Sequence, residues 1–239
     1  MKKKIFLLVT LCFTLITTPF VSVVSAEDSF DVSAKAALAI DASSGKVLYA
    51  KNTTSPMGVA SITKIITIYM TLDAIKKGKL NWDDKIKMSD YAYNLTQNPE
   101  ASNIAVMDKD EAFTVRDLFN AAMIQSANSA AITLAEKIGG SEPKFVDLMK
   151  TQLAYWGITD AKLVNASGLN NSVLGENIYP GSSSTDENEL SAQDVAIVAQ
   201  HLIADFPDVL ETSQKATEPF DANGPSKQTL ANYNYMLPG

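Results

Sequence analysis

Serine and lysine three residues apart could together carry out nucleophilic chemistry. Residues i and i+3 share one face of a helix, so the lysine amine can reach the serine hydroxyl. If burial lowers the lysine pKa from about 10.4 toward neutrality, the amine can take the hydroxyl proton and activate the oxygen for attack on an acyl carbon. The chain contains three such pairs: Ser43–Lys46, Ser61–Lys64 and Ser141–Lys144.

Sequence context separates the three pairs. Ser43 lies in a predicted hairpin turn, and Ser141 precedes Pro143 as a predicted helix N-cap. Only Ser61 begins an almost wholly apolar helix, which must be buried and should end near Gly78. A buried lysine is costly, so Lys64 is predicted to be functional, and backbone N–H groups at that helix start could help hold an oxyanion. The alternative is that Ser61 only caps the helix and that Lys64 extends to solvent.

A second candidate segment is Ser126-Ala127-Asn128, the single Ser-x-Asn in the chain. It lies in a break between two Ala-rich helical stretches. A hydroxyl there could relay a proton to a leaving group, and the amide could bind a substrate carbonyl. The alternative is a helix–helix turn in which both side chains act as caps.

Composition excludes several other classes of function. The chain has 20 Lys+Arg against 27 Asp+Glu and a formal charge of −7, which argues against a nucleic-acid partner. One Cys and one His leave no set of ligands for a Cys- or His-rich metal site. The single histidine, His201, is expected on the solvated side of its helix beside Asp194 and Asp205.

The first 26 residues have the pattern of a secretory signal peptide. Three lysines precede an apolar block from Ile5 to Ile16, and the segment ends on Val24-Ser25-Ala26. A membrane anchor is the alternative, but it requires about 20 uninterrupted apolar residues, and Pro19 interrupts this one. We therefore expect an exported protein of the cell envelope that loses Cys12 with the signal and has no membrane anchor within this chain.

Residues 27–239 are predicted to form one mixed α+β domain. Residues 36–40 and 46–50 alternate as two strands of a hairpin. Residues 165–186 are rich in Asn, Ser and Gly and are predicted to form a long polar loop. Helices are predicted to begin near Ser61, Thr114, Asn128, Glu142 and Ser191.

Several motifs in order resemble one enzyme family. Pro56-x-x-x-Ala60-Ser61-Ile62-Thr63-Lys64, Ser126-Ala127-Asn128 and Asn165-Ala166-Ser167-Gly168-Leu169 are similar to segments of the low-molecular-mass penicillin-binding proteins, and more narrowly of the serine D-alanyl-D-alanine carboxypeptidases. The resemblance extends from about Ala36 to the C-terminus. It implies the penicillin-recognising serine transpeptidase fold, which is β-lactamase-like, with an antiparallel sheet flanked by helices and a mostly helical lobe.

The resemblance also implies a role for each candidate residue. Ser61 would attack the penultimate D-Ala carbonyl of a peptidoglycan stem peptide and become the acyl-ester, and Lys64 would accept its proton. Ser126 would pass a proton to the departing D-Ala, and Asn128 would position the substrate. β-Lactam antibiotics, which mimic D-Ala-D-Ala, should acylate the same serine. No cofactor or metal is expected.

The chain departs from the family at its third motif. No lysine is followed by Thr-Gly or Ser-Gly, so we expect a catalytic domain that is incomplete at the C-terminus, without its later strands and with poor activity. A truncated, non-catalytic envelope relative that at most binds wall peptide or penicillin weakly is therefore an alternative. A class A β-lactamase is a further alternative, but the Glu-x-x-Leu-Asn element is missing, and Glu187-Asn188-Glu189-Leu190 has the wrong order.

Overall fold

The computed structural model describes residues 31–237. The chain divides into two units, residues 1–33 and 34–239, and the fold described below belongs to the second. The predicted signal peptide, with Cys12, lies outside the described residues.

The strands of this unit are short and pair only in twos. Within residues 31–237 they form four separate antiparallel pairs, β1–β2, β3–β6, β4–β5 and β7–β8. The predicted hairpin is confirmed: β1 and β2 are in register from Ala37 opposite Lys51, with a bulge at Ile40. The strand bounds are β1 Ala37–Ile40, β2 Val47–Lys51, β3 Met57–Gly58, β4 Lys85–Lys87, β5 Ala112–Thr114, β6 Glu189–Leu190, β7 Thr217–Phe220 and β8 Gln228–Ala231.

The helices begin close to the predicted positions because their caps are encoded locally. The side chains of Thr114, Ser141 and Ser191 each accept a backbone N–H three residues on, and Ser191 forms a full capping box with Asp194. The helix bounds are α1 Lys64–Lys76, α2 Asp90–Thr96, α3 Val115–Ile124, α4 Asn128–Gly139, α5 Glu142–Tyr155, α6 Ala192–Asp205 and α7 Val209–Ser213.

Helix α1 lies in the middle of the core, as its apolar sequence predicts. It packs against α3, α4, α5 and α6, and it supplies side chains to both hydrophobic clusters, Ile68 to one and Ile66 to the other. Helix α4 does the same through Ile132 and Ala135. The first residues of these two central helices, Lys64 and Asn128, are therefore both held by the core.

The position expected for His201, on the solvated side of its helix, is only partly confirmed. Its ring is half-buried and stacks on Trp156, with ring centroids 4.6 Å apart and planes inclined by 9°. Charged neighbours on the same helix face suggested exposure, but the aromatic ring at the end of α5 covers the imidazole.

No helix among the described residues is long and apolar enough to span a membrane. Nor do these residues contain a group of three or more His, Cys, Asp or Glu side chains arranged to hold a metal ion.

Candidate active site

Ser61 is exposed and lies on a 3₁₀ turn, Ala60–Thr63, immediately before α1. The predicted start of the α-helix at Ser61 is therefore three residues too early. The capping alternative is also wrong, because neither the 3₁₀ turn nor α1 has a side-chain cap. Ala60 has a positive φ of 44°, which turns the chain sharply before the serine.

Lys64 is the first residue of α1, and it is almost completely buried, with 4% of its surface exposed. Its Nζ lies 2.9 Å from Ser61 Oγ, 2.6 Å from Asn128 Oδ1 and 2.7 Å from the carbonyl oxygen of Ser167. Burial lowers the pKa of the amine from its ordinary value to about 7. The alternative that Lys64 extends to solvent is wrong.

The three contacts of Lys64 differ in what they can exchange. The oxygens of Asn128 and Ser167 are an amide and a carbonyl oxygen, which can only accept hydrogen bonds, whereas a serine hydroxyl can also donate. A neutral amine has two N–H donors and one lone pair. With both N–H groups directed to Asn128 and Ser167, the lone pair is left for the hydroxyl proton of Ser61, which is the arrangement a general base requires.

Asn128 is the first residue of α4, and both polar atoms of its amide have a hydrogen-bond partner within the protein. Oδ1 accepts from Lys64, and Nδ2 donates to the carbonyl oxygen of Ala101 over 2.9 Å. The side chain is only 6% exposed. In this structure Asn128 therefore orients the lysine.

Ser126 lies at the break between α3 and α4, with a left-handed φ of 57°. Its carbonyl oxygen accepts a hydrogen bond of 2.8 Å from Asn103 Nδ2. Non-glycine residues in this conformation are strained and are held by their surroundings, often at functional sites. Within residues 31–237 no hydrogen bond joins its hydroxyl to Ser61 or Lys64, so of the four predicted residues the structure brings three into direct contact.

The other two Ser-x-x-Lys pairs have local roles. The Ser43 hydroxyl donates to Asp41 over 2.7 Å in the exposed turn between β1 and β2. The Ser141 hydroxyl accepts from the backbone N–H of Lys144, as predicted for an N-cap. Neither serine hydroxyl is hydrogen-bonded to the amine of its lysine within the described part of the chain.

The contacts of the segment Asn165–Gly168 were not predicted from the sequence, which placed the segment in a polar loop and among the motifs that resemble the family. Its backbone lies against the first turns of α1, where the carbonyl oxygens of Ala166 and Ser167 accept from Thr67 and Lys64, each over 2.7 Å. Asn165 Oδ1 accepts the backbone N–H of Gly168 over 2.6 Å and so fixes the turn. Asn-Ala-Ser-Gly, with an asparagine three residues before a glycine, is the one local signal that could have indicated this turn.

Asn188 attaches this segment to the serine turn. It is completely buried, and its Nδ2 donates to Thr63 Oγ1 over 3.0 Å and to the carbonyl oxygen of Asn165 over 2.9 Å. Its Oδ1 accepts the backbone N–H of Val164 over 2.7 Å. No local pattern distinguishes Asn188, which follows the predicted polar loop 165–186, from the asparagines within that loop, so sequence reasoning missed it.

Replacing Gly168 with alanine is expected to destabilise the protein by about 3 kcal/mol. The new methyl group would clash with backbone atoms, which cannot move aside as a flexible side chain could. Gly168 has φ +83°, and its Cβ would lie 1.8 Å from the carbonyl oxygen of Ala60. The free energy of unfolding, measured by chemical denaturation, tests this.

Gly175→Ala is the matched control. Gly175 also has a positive φ, of +60°, but an added Cβ there meets nothing within 4 Å. We expect it to cost only about 1 kcal/mol, from backbone strain alone. Equal costs at the two positions would contradict the close approach of Gly168 to the serine turn.

Comparison with known proteins places this chain in a family. The sequence profile described as D-alanyl-D-alanine carboxypeptidase matches residues 22–238. D-alanyl-D-alanine carboxypeptidase DacF of Bacillus subtilis is 32% identical over 205 residues, which cover 85% of this chain and 47% of the relative. DacC of Escherichia coli is 32% identical over 179 residues, covering 74% of this chain and 41% of the relative. The chain thus spans about half the length of the curated relatives it matches.

Solved structures confirm the predicted fold. A peptidoglycan synthesis regulatory factor (PBP3) from Streptococcus pneumoniae is 49% identical, with a TM-score of 0.83 over 88% of this chain and 56% of its own. Penicillin-binding protein D2 from Listeria monocytogenes, in its cefotaxime-bound form, is 27% identical, with a TM-score of 0.71 over 87% of this chain and 75% of its own.

Proposed function

The chain belongs to the D-alanyl-D-alanine carboxypeptidase family, and from that membership we propose that it removes the terminal D-alanine from peptidoglycan stem peptides through an acyl-enzyme on Ser61. The observation that carries this proposal is the contact of 2.9 Å between Lys64 Nζ and Ser61 Oγ. Burial lowers the pKa of this lysine to about 7, so a neutral amine is available near neutral pH. A serine hydroxyl alone is a weak nucleophile, and an adjacent base activates it.

In the proposed reaction Ser61 Oγ attacks the carbonyl carbon of the penultimate D-Ala as its proton moves to Lys64. The bond from Oγ to carbon forms, the peptide C–N bond breaks, and D-Ala leaves with a proton that Lys64 returns through Ser126. Water then hydrolyses the ester and restores the Ser61 hydroxyl. Each step is an acyl or proton transfer, so the proposal assigns no role to a cofactor.

Asn128 has two functions in this proposal. Its oxygen holds the amine of Lys64 at 2.6 Å, in the orientation that leaves the lone pair for Ser61. Substrate positioning, the role implied by the family resemblance, falls to its amide group once a peptide enters the cleft.

β-Lactams are proposed as inhibitors that acylate Ser61. The Listeria monocytogenes relative is described in cefotaxime-bound and ampicillin-bound forms. A strained β-lactam amide presents the same carbonyl to the same nucleophile, and its acyl-ester is a convenient measure of the first reaction step.

The proposed site of action is outside the cytoplasmic membrane, in the cell envelope. The pattern of residues 1–26 supports export through a signal peptide, because a basic start, an apolar centre and a small-x-small end occur together. Peptidoglycan lies in that compartment, so the proposed location agrees with the proposed substrate.

We expect the rate of acylation by a penicillin to fall as the pH drops below about 7. The amine of Lys64 has a pKa of about 7, and its protonated form cannot accept the proton of Ser61. The neutral fraction then decreases about tenfold per pH unit below the pKa. Labelling rates of the full-length protein with a fluorescent penicillin, measured from about pH 5 to about pH 9, test the prediction.

Thermal unfolding at each pH is the control, because it separates loss of the base from loss of the fold. A labelling rate that stays constant down to about pH 5 in folded protein would show that Lys64 is not the base.

A further inference from the structure

Glu142, the first residue of α5, is a buried acidic residue that the proposed mechanism does not use. Only 4% of its surface is exposed, and burial raises the pKa of its carboxyl group to about 7. Burying a carboxyl group is unfavourable unless it forms strong hydrogen bonds. Its Oε1 accepts the backbone N–H of Ala166 over 2.9 Å.

Ala166 connects Glu142 to the catalytic lysine. It lies within Asn165–Gly168, the segment whose carbonyl oxygens contact α1. The oxygen of Ala166 accepts from Thr67, and the oxygen of the next residue, Ser167, accepts from Lys64. The N–H that Glu142 holds and the carbonyl that holds the lysine amine therefore belong to adjacent residues.

The surroundings of Glu142 indicate that it acts as a hydrogen-bond acceptor and not as a charge partner. Tyr91 on α2 and Glu136 on α4 are the titratable neighbours that act on its carboxyl group. Burial and the nearby Glu142 raise the pKa of Tyr91, and burial raises the pKa of Glu136. Within residues 31–237 the carboxylate forms no ion pair with a lysine or arginine side chain.

We propose that Glu142 is a positioning residue for Lys64, which holds the Ser167 carbonyl against the lysine amine by anchoring the Ala166 N–H. The inference rests on the proposed function of Ser61 and Lys64 and adds to it a residue on a different helix. If the anchor is lost, the segment moves away from α1 and water reaches the amine. The pKa of Lys64 then rises toward its ordinary value, and less of the base is neutral at working pH.

Two substitutions of Glu142 distinguish the effect of its side-chain length from the effect of its charge. Glu142→Gln keeps an oxygen at the same distance and removes the charge, whereas Glu142→Asp keeps the charge and shortens the side chain by one methylene. Because the proposed role is that of an acceptor with the right reach, we expect the glutamine variant to behave like wild type. In the aspartate variant we expect the pKa of Lys64 to rise by about one unit and penicillin acylation near neutral pH to fall about tenfold.

Two measurements on the full-length protein read these effects. The first is an NMR titration of Lys64 in protein labelled at the lysine Cε carbons, with the resonance assigned by its absence in Lys64→Ala. The second is the acid limb of the penicillin-labelling profile, which should shift to higher pH in Glu142→Asp only. Glu136→Gln is the matched control, because it removes a neighbouring carboxylate from the same cluster without touching Ala166, and it should leave both measurements unchanged.

Three outcomes would overturn the inference. In the first, Glu142→Asp lowers only the melting temperature and leaves the Lys64 titration and the acid limb in place, which means a purely structural role. In the second, Glu142→Gln moves the titration and Glu142→Asp does not, which means that charge matters and reach does not. In the third, neither variant changes any measurement.

The NMR titration also separates this inference from the proposed function. It reports on Lys64 in protein that is not turning over. If wild-type protein is never acylated but Glu142→Asp still shifts Lys64, the proposed function fails and the positioning role stands.

Discussion

Replacing Ser61 with alanine is expected to reduce penicillin acylation and D-alanine release by about 10⁴-fold or more, to background. Alanine has no oxygen to form the ester, and the structure shows no second hydroxyl in contact with Lys64 Nζ within residues 31–237. The measurement is the initial rate of D-alanine release from a D-Ala-D-Ala peptide by the full-length protein, together with fluorescent penicillin labelling.

Ser43→Ala and Ser141→Ala are the matched controls, because both serines occur in the same Ser-x-x-Lys spacing. Loss of the N-cap at Ser141 should cost about 1 kcal/mol of stability, but neither substitution should change the acylation rate. Undiminished labelling of Ser61→Ala would contradict the assignment. If the wild-type protein neither labels nor releases D-alanine, the alternative of a non-catalytic envelope protein is favoured.

Replacing Lys64 with arginine is expected to reduce acylation as much as replacing it with alanine, by about 10²- to 10⁴-fold. Arginine keeps a positive charge and hydrogen-bond donors, but its pKa is above about 12, so it has no neutral form that could take the proton of Ser61. Rate constants for acylation by a penicillin, measured near neutral pH in both variants, test the prediction.

Lys144→Arg serves as the control for the arginine substitution. Lys144 occupies the same place in the Ser141–Lys144 pair, but it is exposed, and we expect wild-type acylation. Near wild-type acylation in Lys64→Arg would mean that this lysine supplies only charge and that the base lies elsewhere.

The sequence was sufficient to predict the elements whose signals are local. Alternation and turn residues predicted the hairpin β1–β2, and the N-caps Thr114 and Ser141 predicted the starts of two helices. The amphipathic pattern that begins at Ser191 predicted a third helix. The proximity of Ser61 and Lys64 was also predicted, although a 3₁₀ turn and not an α-helical turn connects them.

Contacts between distant backbone and side-chain groups could not be predicted. The Ser167 oxygen that holds Lys64 is a backbone atom 103 positions away, and any residue type supplies such an oxygen. Polar residue types are mostly exposed in proteins, yet Glu142 and Asn188 are both buried, because they accept hydrogen bonds from backbone N–H groups of the folded segment. The pairing of β3 with β6 also joins segments that are distant in the sequence. Each of these strands has only two residues, which is too short to show an alternating pattern.

The most direct test of the account is the location of the penicillin adduct. Full-length protein would be acylated, digested and mapped by tandem mass spectrometry, with protein pretreated with unlabelled penicillin as the control. We predict a single adduct, on Ser61, and none in Ser61→Ala. An adduct on Ser126 or any other serine, or D-alanine release without an adduct on Ser61, would contradict the central claim that Ser61 is the nucleophile activated by Lys64.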